Sequence, residues 1–185
     1  SNVDTEKSLM QLCKKYSKIS LITFTRNYGK ESAILAGLSE SNADAVIVID
    51  SDLQHPISLM DKMISSWLKG FDVVEACKKN RGYESRIKYF TVNTYYYLFK
   101  KVSGFDMRNQ TDFKLLDKKV VDQYISLSLN NKFFRGMVFW MGYSTDRIYF
   151  NVPKRIHGKS SWTITNLIKY SIQSIILFTS KPLYI

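Results

Sequence analysis

The run Ala45-Val46-Ile47-Val48-Ile49 is unbroken, apolar and rich in β-branched residues, and Asp50-Ser51-Asp52 follows it with no spacer. A continuous run of this kind suits a strand covered on both faces, as in a parallel sheet. The two carboxylates then stand just past the strand's carboxyl end, where open α/β sheets bind their ligands. Apolar spacing elsewhere in the chain predicts helices over residues 5–16, 29–38, 56–68, 86–102, 118–127, 133–140 and 163–178. Strands are predicted over 19–24, 71–76, 113–116 and 144–150. Alternating strands and helices define an α/β fold with a mostly parallel sheet.

At 185 residues the chain is long enough for one substantial domain. No repeat or low-complexity linker divides it. Residues 1–150 read as the main domain, with 151–185 a basic loop and amphipathic helix belonging to it. Cys13 and Cys77 stand far apart with no Cys/His cluster, which excludes a disulfide framework or structural zinc site and suits a reducing compartment. No signal-peptide pattern opens the sequence. The formal net charge of +11 predicts an anionic partner. It is unevenly spread: after Asp146 there is no Asp or Glu, whereas Arg147, Lys154, Arg155, Lys159, Lys169 and Lys181 all follow. A basic, acid-free end rich in Ile, Leu, Trp and Tyr suits a membrane surface or a lipid phosphate. The apolar stretch 170–180 is shorter than the roughly 20 residues a spanning helix needs.

In an extended segment alternate side chains point the same way, so Asp50, Asp52 and Gln54 are expected to converge. Adjacent carboxylates repel unless a cation lies between them. Hard oxygen donors favour Mg²⁺ or Mn²⁺, which commonly share their shell with substrate phosphates. By itself the triplet is equally compatible with Asp50 in a turn and Asp52 capping the next helix.

Four segments together carry a resemblance. They are Arg26-Asn27-Tyr28-Gly29-Lys30-Glu31, Asp50-Ser51-Asp52-Leu53-Gln54-His55-Pro56, Thr111-Asp112-Phe113-Lys114-Leu115-Leu116 and Lys132-Phe133-Phe134-Arg135-Gly136. In order and approximate spacing the chain resembles family 2 glycosyltransferases, in particular the polyprenol-phosphate group. The resemblance implies a Rossmann-like GT-A fold and inverting transfer from a nucleotide-diphosphate sugar, most readily a UDP-sugar, to a polyprenyl phosphate. It implies Asp50, Asp52 and Gln54 around Mg²⁺ or Mn²⁺, and Arg26, Asn27 and Lys30 with Asp50 and Asp52 near the donor. It also implies Asp112 as base or acceptor-orienting group, and Arg135, Arg155, Lys159 and Ser160 near the acceptor. The place implied is the cytoplasmic face of the cell membrane, with anchoring helices beyond residue 185, no nucleic acid, and homo-oligomerisation left open. The resemblance further implies that the family's first strand and its nucleoside-binding acidic loop are missing ahead of Ser1, so that this chain binds nucleotide sugar weakly by itself.

Asp112 has two readings. A hydroxyl acceptor needs a general base. A phosphate monoester, with a second pKa near ~6, is already an anion at neutral pH and needs only to be positioned. His55 and His157 read as local hydrogen-bonding residues, and Tyr89, Phe90, Tyr95, Tyr96, Tyr97 and Phe99 as helix packing. Three other classes compete: transfer to a polysaccharide hydroxyl, a haloacid-dehalogenase-type phosphatase, and a non-catalytic basic module binding membranes or RNA. The phosphatase pattern would require a Thr two residues after Asp52, where Gln54 stands, and no RNA-binding motif is present.

Overall fold

Three strands of the sheet share one direction, and one interior strand runs against them. The computed structural model describes residues 3–79, 97, 100, 101, 104, 109–127 and 133–151. The chain forms two units, Ser1–Ser41 and Asn42–Ile185.

The first unit holds helices α1 (Val3–Lys15) and α2 (Lys30–Ser39). Lys14 and Lys15 in the last turn of α1 complement its dipole. Gly29 precedes α2 at φ 86°, a conformation that costs a glycine nothing and other residues a good deal. Residues 19–24, expected as a strand, are not one. A strand exists through its ladder, and no described segment forms one with these residues; Ile19, Ile22 and Phe24 stand exposed.

The second unit runs β1 (Ala45–Val48), a 3₁₀ turn (Ile57–Leu59), α3 (Met60–Trp67), β2 (Val73–Lys78), β3 (Gln110–Asp117), α4 (Lys118–Ser126), α5 (Phe134–Trp140) and β4 (Thr145–Phe150). The strand order is β1-β3-β2-β4. β3 pairs antiparallel with both β1 and β2, and β4 joins β2 in parallel. β1 was expected to be covered on both faces, but it lies at the edge of the described sheet and is half-buried along its length. The fully buried strands are the interior pair, β2 and β3.

One face of the sheet is apolar. Val74, Ala76, Phe113, Leu115 and Phe150 pack with Leu59 and Met63. Each large side chain buried there contributes roughly 1.5–3 kcal/mol. Asp117 ties this layer together: it caps α4 by accepting from the Lys119 amide at 3.0 Å, and it accepts from Trp67 Nε1 at 2.8 Å. A cap of this type is worth about 1 kcal/mol.

The opposite face carries charge. The register sets Lys114 on β3 beside Glu75 on β2, and Glu75 beside Arg147 on β4. Among the described residues no helix is long and apolar enough to cross a membrane. The helices expected over 86–102 and 163–178 lie almost wholly outside the described residues. So do Tyr89, Phe90, Tyr95, Tyr96, Phe99, His157 and the predicted acceptor residues Arg155, Lys159 and Ser160. Tyr97, which is described, is 66% exposed rather than packed in a core.

Candidate active site at the reversed strand

The reversal of β3 decides what can meet. Because β1 and β3 are antiparallel, the chain leaves β1 at the end of the sheet where β3 begins. The last ladder pair is Val48↔Lys114. Asp50 lies two residues beyond Val48, and Asp112 lies two residues ahead of Lys114. The candidate metal turn and the candidate acceptor-side aspartate thus share one end of the sheet.

His55 spans the interval. Its ring is 7% exposed and rests against Phe113 and Phe150, with centroids 5.3 and 5.8 Å away. Its Nε2 lies 3.6 Å from Asp50 Oδ2, while Nδ1 is buried with no hydrogen-bond partner among the described residues. Expected as a local hydrogen-bonding residue, His55 instead packs its ring against the two aromatic rings, and that ring makes no hydrogen bond within 3.5 Å among the described residues.

The segment from Asp50 to Gln54 is a turn, not the extended stretch expected. Leu53 adopts φ 59°, in the left-handed region that non-glycine residues seldom occupy, and its side chain is 65% exposed. Asp52 Oδ1 accepts from the Gln54 amide at 3.1 Å, closing the reversal. Simple alternation therefore does not align Asp50, Asp52 and Gln54. Asp50 is 30% exposed, Asp52 is exposed, and Gln54 is half-buried. Among the described residues no three His, Cys, Asp or Glu side chains gather into a metal cage. Two accessible carboxylates on one turn do fit Mg²⁺ or Mn²⁺, ions that keep much of their shell for water and phosphate.

Asp112 sits where the β2–β3 register shifts. Between Glu75↔Lys114 and Cys77↔Gln110, β3 has more residues than β2. The Thr111 hydroxyl occupies the irregularity, donating to the Ala76 carbonyl at 2.7 Å and accepting from the Phe113 amide at 3.2 Å. Bulges of this kind re-aim side chains beside active sites. Asp112 is 5% exposed and takes a bidentate pair from Arg135 at the start of α5. Arg135 Nε donates to Oδ1 at 2.5 Å and Nη2 to Oδ2 at 2.9 Å. A carboxylate held by two N–H groups of one guanidinium fixes that side chain's direction, the geometry of an orienting pair.

Arg26, Asn27 and Lys30 belong to the first unit. Arg26 stacks on the Tyr28 ring at 4.7 Å, and Asn27 Oδ1 accepts from the Gly29 amide at 2.9 Å, shaping the turn into α2. Lys30 is the first residue of that helix.

A family model described as Glycosyl transferase family 2 matches residues 1–132. The chain belongs to glycosyl transferase family 2. Its relatives include the bactoprenol glucosyl transferase of Shigella phage SfX, 34% identical over 180 residues, covering 97% of this chain and 59% of that protein. The prophage bactoprenol glucosyl transferase homolog of Escherichia coli (strain K12) is 33% identical over 182 residues, covering 98% of this chain and 60% of the relative. This chain thus spans well under two thirds of these relatives' length. Among solved structures, 4-diphosphocytidyl-2C-methyl-D-erythritolsynthase from Anaerococcus prevotii superposes with a TM-score of 0.53 over 93% of this chain and 75% of that one, at 12% identity. That likeness shows the fold: α/β, Rossmann-type, of the nucleotide-sugar-transferase kind.

In this family 2 chain Glu75 was not among the expected site residues, and Arg147 was expected only as part of the basic end. Glu75 is 3% exposed, Lys114 is fully buried, and the two form an ion pair. Arg147 Nε donates to the second Glu75 oxygen at 3.3 Å. Burial pulls the Lys114 ammonium down from its ordinary range, with Glu75 pulling it back up. Burial, reinforced by the Glu75 charge, pushes the Cys77 thiol up, in keeping with an inert cysteine. A signal was present in the sequence: a glutamate inside the apolar run Val73-Val74-Glu75-Ala76 implies a buried charge with a partner.

Proposed function

We propose that the protein transfers a sugar, with inversion, from a nucleotide-diphosphate donor to a polyprenyl phosphate at a membrane surface. UDP-sugars are the donors to be tried first. The observation that carries this reading is the placement of the Asp50-Ser51-Asp52 turn and the Arg135–Asp112 pair at one end of the sheet. The printed names of the bactoprenol relatives support the acceptor class. Asp50 and Asp52 would hold Mg²⁺ or Mn²⁺, which would offset the charge gained by a leaving nucleoside diphosphate. Asp112, already paired with Arg135, would orient that guanidinium rather than remove a proton. Arg135 would present its guanidinium to the acceptor phosphate, a planar group that Arg offers and Lys does not. Arg26, Asn27 and Lys30 would serve the donor, and Gln54 the metal side. Arg155, Lys159 and Ser160 would extend the acceptor site, and the basic end would meet the cytoplasmic face of the membrane.

The test is a nucleotide-sugar screen with the full-length protein in membranes, scored for a glycolipid. One donor should give a product whose sugar is linked through phosphate. Asp52→Asn should lower its formation by about 100-fold or more. Undiminished transfer by that variant would remove the metal assignment, and transfer to a hydroxyl acceptor alone would remove the lipid phosphate.

A further inference from the structure

Asp112 and Lys114 stand two residues apart on β3, and their charges act on each other. Lys114 is 0% exposed, so its ammonium needs a carboxylate, and Glu75 across the ladder supplies one. Arg147 backs Glu75 from the other side and is itself half-exposed. Among the described residues the row joins the cations Arg135, Lys114 and Arg147 with the carboxylates Asp112 and Glu75.

The geometry points to Glu75 as a positioning residue: by neutralising the buried Lys114 ammonium it leaves the Asp112 carboxylate to Arg135 and so keeps that guanidinium aimed. Without the Glu75 charge, Lys114 has Asp112 as a nearby source of compensation. A buried ammonium cannot remain uncompensated at small cost. Asp112 then turns toward Lys114, and Arg135 loses its bidentate clamp. Removing the Lys114 charge together with that of Glu75 removes the competition and restores the pair.

The experiment uses the full-length protein in membranes. Phenylglyoxal modification of Arg135, followed by peptide mass spectrometry, reads whether the guanidinium is held. Glu75→Gln should speed labelling of Arg135 by about tenfold, in line with the strength of a bidentate charge-assisted pair. Glu75→Gln with Lys114→Met should return it to the wild-type rate. If Glu75→Gln does not accumulate in folded form, Glu75→Asp, which draws the carboxylate back from Lys114 and weakens the compensation, should speed labelling by a smaller factor that Lys114→Met again reverses. Equal labelling in the wild type and the single variant would overturn the assignment, and so would a double variant labelled as fast as the single one. The kinetic arm rests on the proposed phosphate acceptor: Glu75→Gln should raise KM for undecaprenyl phosphate and spare KM for the nucleotide sugar. A parallel rise in both would mean a merely structural role. A wild-type protein that transfers nothing to undecaprenyl phosphate would sink the proposed function while leaving the labelling result intact.

Discussion

The turn after β1 and the charged row across β3, β2 and β4 both display carboxylates, yet they lie in opposite physical settings. Asp52 is exposed and Asp50 partly so, at the edge of the described sheet. Glu75 and Asp112 are buried at its centre, each clasped by cations. An exposed carboxylate costs little to keep and can exchange water for a ligand. A buried one is costly unless paired, and its partners then hold it in place. The contrast separates a region able to receive an ion from one built to hold a guanidinium still.

Glu75→Gln tests that contrast hardest. It takes from a buried ammonium its paired carboxylate and, with Asp112 drawn away from Arg135 in exchange, should lower stability by about 3–5 kcal/mol in urea unfolding. Lys114→Met leaves Glu75 with the half-exposed Arg147 and should cost less. The double variant should lie near the wild type, because exchanging a buried pair for apolar groups is often neutral. A double variant as unstable as Glu75→Gln would break the comparison. Trp67→Phe, which gives up the hydrogen bond to Asp117 but keeps most of the packing, should cost about 1 kcal/mol by the same measurement. Asp52→Ala should change stability by no more than about 0.5 kcal/mol while abolishing transfer; a large stability loss would place Asp52 among the structural carboxylates.

The smallest effect concerns pH. Burial works to raise the Asp72 pKa, but hydrogen bonds from Lys119 and Ser144 outweigh it and hold the carboxyl below its ordinary value. A depressed carboxylate adds stability above its unfolded pKa of about 4, and that increment is lost as pH falls through the folded value. Asp72→Asn should therefore lower stability slightly at neutral pH and flatten the acid limb, the two proteins converging once pH has fallen below the folded value.

The parts legible in the sequence were those that depend on neighbours along the chain. Helices α2, α4 and α5 lie within a residue or so of their expected limits because the spacing of their apolar residues fixes them. Asp117, directly ahead of Lys118, is a local cap and ends β3 where expected. Long-range pairing was not legible. The apolar run of β1 says that the segment is extended but not that it stands at an edge. Residues 19–24 have strand composition but no ladder partner among the described residues, and composition cannot supply one. Glu75 and Arg147 are 72 residues apart, and only the parallel register of β2 and β4 brings them together. The family resemblance identified Asp112 and Arg135 separately; their bidentate pairing depends on where α5 meets β3.

The reversed strand also bears on how the molecule is assembled in time. β1 and β2 share no ladder, since β3 lies between them. Both are complete by Lys78, yet the strand that joins them begins only at Gln110. During synthesis β1 and β2 therefore emerge before the described strand that joins them, and the loop to be closed is long, which slows folding. Among the described strands the first ladders can form only as β3 emerges, and β3 then pairs both neighbours. The strand that brings Asp112 to the same end of the sheet as the Asp50-Ser51-Asp52 turn is thus also the one that joins the described sheet together.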